Sequence, residues 1–198
     1  MDTRICRVAL AVLPILVSVA LVASASAAKP KPPVSVHAIF DNGKKPPFRV
    51  GQVLQVNPTP GAKPGKITKV CFSPAPISRP SCGKSPEGAP SAAGTTKITV
   101  SFSKRASYTL KFKVLAAATK VGGEGEGLAV PATITCPSVS LYANAIGEAK
   151  KNEKPVATLT AGTKVALYNK LGPGGITMID YETGALGTGE ERCATPGI

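Results

Sequence analysis

Two stretches of strictly alternating apolar and polar side chains constrain the fold of this chain more than any other feature. The stretches are KITVSFS at 97–103 and YTLKFKV at 108–114, separated by four residues. A period of two places alternate side chains on opposite faces of a strand, and the short connection fits a turn. The pattern predicts a β-hairpin with one apolar face and one basic face.

Other strand patterns occur throughout the chain after residue 33. The predicted strands are Val34–Phe40, Phe48–Val56, Lys66–Ser73, Leu128–Cys136, Ser138–Asn144, Val156–Leu159, Lys164–Asn169 and Thr177–Tyr181. Pro131 lacks a backbone donor, so the strand that contains it is expected at a sheet edge. With 20 glycines, 19 prolines and no tryptophan, the composition favours turn-rich β structure over helices. The predicted fold class is all-β.

The first 28 residues contain the three regions of an export signal. Arg4 and Arg7 supply positive charge, Val8–Ala23 is an apolar run, and small residues at 24–28 fit a signal peptidase site. The run is shorter than the roughly 20 apolar residues that a membrane span needs. We expect a signal peptide at 1–28 and an extended KPKPP spacer at 29–33. The mature protein is then secreted to an extracellular or periplasmic location in the cell envelope, with no transmembrane span.

Four cysteines follow the predicted signal: Cys71, Cys82, Cys136 and Cys193. An even number in an exported chain suggests two disulfides, and four cysteines allow three pairings. The pairing of Cys71 with Cys82 and of Cys136 with Cys193 keeps each bridge within one proposed domain. No pair has CxxC spacing and His37 is the only histidine, so neither a metal site nor a cofactor is expected.

Positive charge is concentrated in one half of the chain. Residues 29–135 carry 16 Lys and Arg against 4 Asp and Glu, whereas residues 136–198 carry 6 of each. Such asymmetry is typical of two domains with different surfaces. The chain is therefore divided into a basic domain at 34–135 and a neutral, disulfide-closed domain at 136–198. On this division the second domain unfolds without the first when its disulfide is removed.

Three strand segments of the basic half, GQVLQV, KITVSFS and YTLKFKV, resemble the immunoglobulin-like domains of bacterial surface proteins. The resemblance covers roughly the first hundred mature residues and implies a β-sandwich at 34–135. The Cys–Trp–Cys core triad of antibody domains is missing, because the chain has no tryptophan.

The last third contains SLYANAIGE, followed by KPVATLTAGTKVALYNKLGPGGITMIDYETGALGTG, and is similar to a bacterial SH3-like domain. The matching positions are Val156, Leu159, Gly162, Thr163, Val165, Tyr181, Gly184 and Gly187. The resemblance implies a small β-barrel at 136–198. The family usually has tryptophans where this chain has Ile176 and Thr188. The resemblance therefore does not imply that this chain binds cell-wall peptides.

Residue types suited to catalysis occur without the partners that catalysis needs. His37 lies on a predicted strand without a nameable partner, and oxidised cysteines cannot act as nucleophiles. The carboxylate pairs, which we interpret as solvated faces, are Glu124 with Glu126, Asp180 with Glu182, and Glu190 with Glu191. The sequence predicts that the protein is not an enzyme.

The basic face of the predicted hairpin is the candidate binding site. Lys97, Lys111 and Lys113 lie on its polar side, and Lys104 and Arg105 lie at its tip. Such a field concentrates anionic wall polymers, acidic glycans or lipid head groups. The competing interpretation is that lysines keep strands from pairing with other chains. Nucleic acid is not expected, because stacking aromatic side chains are few and the chain is exported.

The sequence therefore favours a non-catalytic binding or adhesion protein of the cell envelope, whose partner is an anionic envelope polymer or acidic glycan. Contact with a membrane surface stays open. The alternative is a structural spacer or assembly component of an envelope complex, without a ligand of its own. The sequence identifies neither the ligand nor the oligomeric state.

Export predicts a processed N-terminus. The protein recovered from an extracellular or periplasmic fraction should begin at Ala28 or Lys29, because cleavage before either residue leaves a small side chain at position −3. N-terminal sequencing of that fraction measures this. Recovery of intact Met1 there would refute the predicted signal peptide.

Overall fold

The computed structural model describes residues 31–40, 47–121, 128–144, 153–171 and 174–198. The predicted signal peptide lies outside the described residues, as do Glu124 and Glu126. The strands are β1 (Val34–Ala38), β2 (Phe48–Arg49), β3 (Leu54–Pro58), β4 (Ile67–Ser73), β5 (Cys82–Gly83), β6 (Glu87–Gly88), β7 (Gly94–Phe102), β8 (Tyr108–Leu115), β9 (Val130–Ile134), β10 (Ser138–Leu141), β11 (Ala157–Thr160), β12 (Lys164–Leu171), β13 (Gly175–Asp180), β14 (Leu186–Glu190) and β15 (Ala194–Pro196). One turn of 3-10 helix, Glu191–Cys193, precedes β15. The predicted all-β class is confirmed.

The first half of the described chain forms two sheets that pack face to face. Strands β2, β8, β7, β4 and β5 are neighbours in that order in a five-stranded sheet, here called the hairpin sheet. Strands β1, β3 and β6 form a three-stranded sheet. Val34 and Val56 of the smaller sheet join Val70, Ile98 and Val100 of the hairpin sheet in one buried cluster. Apolar side chains at every second position thus bury one face of each sheet, as the alternation predicts.

The predicted strand Phe48–Val56 is two strands, because the chain turns between β2 and β3. Gly51 lies in this turn with a φ of 84°, a left-handed conformation that glycine adopts without steric cost. A side chain at this position would also collide with Pro131 and with the Tyr181 hydroxyl. The turn is therefore fixed by backbone conformation and by a close approach from the second half of the chain.

A second pair of sheets encloses its own apolar cluster. Strands β14, β13, β12, β9 and β15 are neighbours in that order, and β10 pairs with β11 in a two-stranded ribbon. Leu141 and Leu159 of the ribbon pack with Val165, Ile176 and Met178 of the five-stranded sheet. The five-stranded sheet buries both faces, because Ala166 and Ile179 on its other face belong to a separate buried cluster that also contains residues of the first half.

The predicted edge position of the strand containing Pro131 is wrong. Strand β9 lies between β12 and β15, and Pro131 is opposite Ala166 of β12. The Pro131 carbonyl points to the other side, where it accepts the Gly197 N–H at 2.8 Å. The N and C=O of one residue point to the same side of a strand. The Pro131 nitrogen therefore faces the β15 side of β9, at a point beyond the last residue of β15. Its missing N–H removes no hydrogen bond between these two strands.

The predicted division between Thr135 and Cys136 does not coincide with the sheets. Strand β9 belongs to the predicted first domain, but among the described residues it pairs with β12 and β15 of the second half. Residues Lys31–Ile198 form one compact unit.

The strand patterns in the sequence do not include β14, because its sequence, LGTGE, has glycines where strands usually have side chains. A Cβ on Gly187 would lie 2.8 Å from the Leu141 Cβ, and one on Gly189 would lie 2.9 Å from a Leu141 methyl group. The two glycines let β14 approach the β10–β11 ribbon closely. The glycines thus mark a close contact between layers and not only turns.

Two tyrosines of the second half reach into the first half. The Tyr168 hydroxyl accepts the Val53 N–H at 3.1 Å, and the Tyr181 hydroxyl donates to the Gly51 carbonyl at 2.8 Å. Both rings are buried in a cluster that also contains Val53. This cluster, here called the tyrosine junction, belongs to both halves of the described chain.

Both predicted disulfide pairings are confirmed. Cys71 and Cys82 lie opposite each other on β4 and β5. Cys136 and Cys193 join the end of β9 to the 3-10 turn before β15, across 57 residues of sequence. Disulfides are typical of oxidising compartments, so the pair is compatible with an extracellular or periplasmic location.

The tyrosine junction predicts loss of stability at alkaline pH. Burial raises the pKa of Tyr168 and of Tyr181 above their ordinary value of 10.0. Above pH 10 the unfolded chain therefore releases protons that the folded chain retains. Unfolding then becomes more favourable by up to about 1.4 kcal/mol per pH unit for each tyrosine. Denaturant unfolding at a series of pH values should show this fall, with a smaller slope in Tyr168→Phe and Tyr181→Phe.

The side chain of Tyr108 is half-exposed, so Tyr108→Phe is the matched control for these variants. Tyr168→Phe and Tyr181→Phe each remove a hydrogen bond and so lower the stability at every pH. The comparison therefore uses the slope of the unfolding free energy against pH and not its absolute value. An unchanged alkaline slope in both buried-site variants would contradict the assignment to the tyrosine junction.

Removal of the longer disulfide should destabilise the whole described fold. The variant Cys136→Ser with Cys193→Ser is expected to lose about 4 kcal/mol of unfolding free energy, from the loop-entropy relation for 57 residues. Because the tyrosine junction joins both halves, we expect one unfolding transition and not loss of the C-terminal half alone. Circular dichroism and tyrosine fluorescence during denaturation test this; transitions at different denaturant concentrations would contradict it.

Candidate functional site

Four exposed lysines lie on the outer face of the hairpin sheet. They are Lys69 on β4, Lys97 on β7, and Lys111 and Lys113 on β8. Their neighbours in sequence, such as Val70, Ile98 and Val114, are buried on the inner face. We call the outer face that carries these four side chains the lysine face.

Strand register brings the lysines together. Lys97 is directly opposite Lys111, and Lys113 is opposite Thr95. Lys69 is opposite Ser101 on the other side of β7. Opposite side chains have Cβ atoms about 5 Å apart, and successive outward residues of one strand are about 7 Å apart. Lys97, Lys111 and Lys113 therefore form a close group, and Lys69 lies farther along the same face.

The charge of this group is not neutralised by described residues. Glu87 is the only carboxylate in the sequence between residues 47 and 121. It lies on β6 in the three-stranded sheet, where its Oε1 accepts a hydrogen bond from Gln55 at 3.3 Å. None of the four lysines forms an ion pair within the described ranges. The lysine face thus presents positive charge to solvent.

Hydroxyl groups lie between the lysines, and sequence reasoning did not single them out. Thr99 and Thr109 are opposite each other, with their hydroxyl oxygens 3.0 Å apart. Ser101 and Ser107 form a similar pair at 3.0 Å. The alternating pattern of the sequence could have identified them, because they occupy alternate positions on the same side of the pattern as Lys97.

The two cations of the hairpin tip do not join this group. The Arg105 guanidinium lies 5.8 Å from the centre of the Phe102 ring, a cation–π contact. Phe102 belongs to the buried inner face of the sheet. Lys104 is in the turn between β7 and β8, beyond the end of both strands. The five predicted site residues therefore separate into three on the lysine face and two at the tip.

The residues considered for catalysis have structural partners. The exposed His37 ring lies 2.9 Å from the Ser35 hydroxyl. The interpretation of Asp180 as part of a solvated face is wrong: its buried carboxylate accepts the Glu182 N–H and the Thr183 hydroxyl, which closes the turn after β13. Glu190 pairs with Arg192 at 2.7 Å on the surface. These contacts account for the groups as turn, strand and surface residues.

The described part of the chain shows neither a metal-ligand cluster nor a membrane-spanning helix. No group of three or more His, Cys, Asp or Glu side chains there is placed to hold a metal ion. No helix among these residues has the length and apolar character of a membrane span.

Comparison of the chain with known protein families, with curated proteins and with solved structures gave no match. The resemblances to immunoglobulin-like and SH3-like domains therefore stay predictions.

Proposed function

We propose that this protein is a non-catalytic, exported binding protein of the cell envelope, and that its lysine face holds an anionic wall polymer or acidic glycan. The observation that carries the proposal is the direct opposition of Lys97 and Lys111, without an ion pair to a described residue. Like charges directly opposite each other on a sheet are destabilising. An anion that contacts both ammonium groups removes this repulsion.

The position of Lys97 favours binding over protection of a strand edge. Strand β8 pairs with β2 only through Val114 and Leu115, so edge protection accounts for Lys111 and Lys113. Lys97 is different, because it is opposite Ser73 on one side and Lys111 on the other. A lysine in the interior of a sheet gives no protection against pairing with another chain.

The shape and chemistry of the face favour a polymer over a lipid bilayer. The lysine face is an open surface over three adjacent strands, and an extended chain can contact several of its cations at once. Membrane-surface binding is strengthened by apolar side chains that enter the bilayer. The large apolar side chains that are exposed in the described chain are Val156, Leu186 and Ile198, all in the second half. The hairpin sheet therefore offers charge and hydroxyls but no apolar anchor.

Replacement of Lys97, Lys111 and Lys113 together by Gln tests the proposal. Exposed ion pairs contribute about 0.5 kcal/mol each, so binding to purified cell wall at low salt should weaken about ten-fold. The dependence of binding on salt should also become shallower, because fewer charges are screened. Sedimentation of labelled protein with washed walls over a salt series measures both quantities.

The matched control replaces the exposed lysines Lys120, Lys154 and Lys164, which lie outside the lysine face, and changes the net charge equally. It should bind nearly as the unchanged protein does. If both triple variants weaken binding equally, net charge and not the lysine face is responsible. Stronger binding to phosphatidylglycerol vesicles than to walls would show that the partner of the lysine face is a membrane surface and not a wall polymer.

A further inference from the structure

Two lysines and two threonines of the lysine face form a small rectangular group. Lys97 and Lys111 are one opposed pair, and Thr99 and Thr109 are the next opposed pair on the same face. The pairs are about 5 Å across the strands and about 7 Å apart along them. Both strands are held by consecutive register contacts from Gly94 to Val100, so the four Cβ positions are set by the sheet.

The threonine pair has an unused donor. Each hydroxyl carries one proton, and the 3.0 Å contact between the two oxygens uses one proton of the two. Neither hydroxyl has another partner among the described residues. The remaining O–H can point away from the sheet, towards a ligand that lies above the threonines.

The lysines supply further donors from the side. Each ammonium group has three N–H donors on a flexible four-carbon stem. Because Lys97 and Lys111 are both one outward position from the threonines, their stems can bend over the threonine pair. Two ammonium groups and one hydroxyl can then reach an anion above the threonine pair from three directions.

We infer that the rectangular group of Lys97, Lys111, Thr99 and Thr109 binds the tetrahedral oxyanion of a phosphate or sulfate ester on the polymer, in preference to a carboxylate. The inference rests on the proposed function and specifies the chemistry of its ligand. A phosphate monoester or sulfate ester presents three terminal oxygens, one for each converging donor. A carboxylate has two oxygens in one plane and meets three such donors less well.

Dextrans with different anionic groups on one backbone provide the test. Dextran phosphate, dextran sulfate and carboxymethyl dextran are compared at matched charge density, with dissociation constants measured by fluorescence anisotropy. A hydrogen bond to a charged group at an exposed site supports a preference of about five-fold for phosphate and sulfate. Thr99→Val with Thr109→Val should abolish this preference and leave binding to carboxymethyl dextran unchanged.

Two variants control for effects on the fold. Thr99→Ser with Thr109→Ser keeps both hydroxyls and should keep the preference. Thr158→Val with Thr160→Val changes exposed threonines of β11, far in sequence from the lysine face, and should also keep it. Thermal unfolding verifies that each variant is folded before binding is measured.

The outcomes separate the inference from the proposed function. Equal binding of the three dextrans, or a preference that survives Thr99→Val with Thr109→Val, would overturn the inference. The proposed function stands in that case if the Lys97, Lys111 and Lys113 triple variant weakens binding to all three dextrans and the triple variant of Lys120, Lys154 and Lys164 does not. If that triple variant binds all three as the unchanged protein does, the proposed function fails as well.

Discussion

Two buried tyrosine hydroxyls connect the halves of the described chain, and the core around them is shared by both halves. Tyr168 and Tyr181 hydrogen-bond to the backbone at Val53 and Gly51, within the turn that separates β2 from β3. An unpaired polar group in such a buried position is costly, so each hydroxyl fixes the turn that it meets. Arg79 strengthens the same junction, because its Nε donates to the Tyr181 carbonyl at 2.6 Å. Residues that the charge distribution separates are thus joined by one shared core.

The hairpin sheet itself holds the candidate site. The first-half residues of the tyrosine junction, such as Val53 and Ile77, lie outside the strands of this sheet, whose outer lysines are exposed. Strand β7 is paired on both sides, and the Cys71–Cys82 bridge joins β4 to β5 beside it. The lysines therefore project from strands that are held in place by the sheet. Ligand binding does not require that the backbone become ordered first. Preorganised donors lose less entropy on binding than donors on a flexible loop.

Small side chains are used where a chain with few aromatic residues must bring layers close together. Gly187 and Gly189 let β14 approach Leu141, and Gly88 fits against the Phe72 ring, where a Cβ would lie 2.8 Å away. Close packing of this kind compensates in part for the absence of tryptophan. The disulfides contribute further by restricting the unfolded chain. Stability is thus distributed over many modest contacts in addition to the tyrosine junction.

The sequence by itself determined the all-β class and the hairpin with its basic face, and it limited the four cysteines to three pairings, of which the structure confirms the predicted one. These features are local or follow from composition: alternation sets the faces of a strand, and cysteine number limits the pairings. Tertiary structure alone decided that Lys97 and Lys111 are opposite each other, with Thr99 and Thr109 beside them. It also decided the place of β9 and the role of Tyr168 and Tyr181. The register of the hairpin depends on the geometry of its turn, which the alternation does not specify. Sheet order and the tyrosine junction depend on contacts between residues far apart in the chain, and such contacts leave no periodic signal in the sequence.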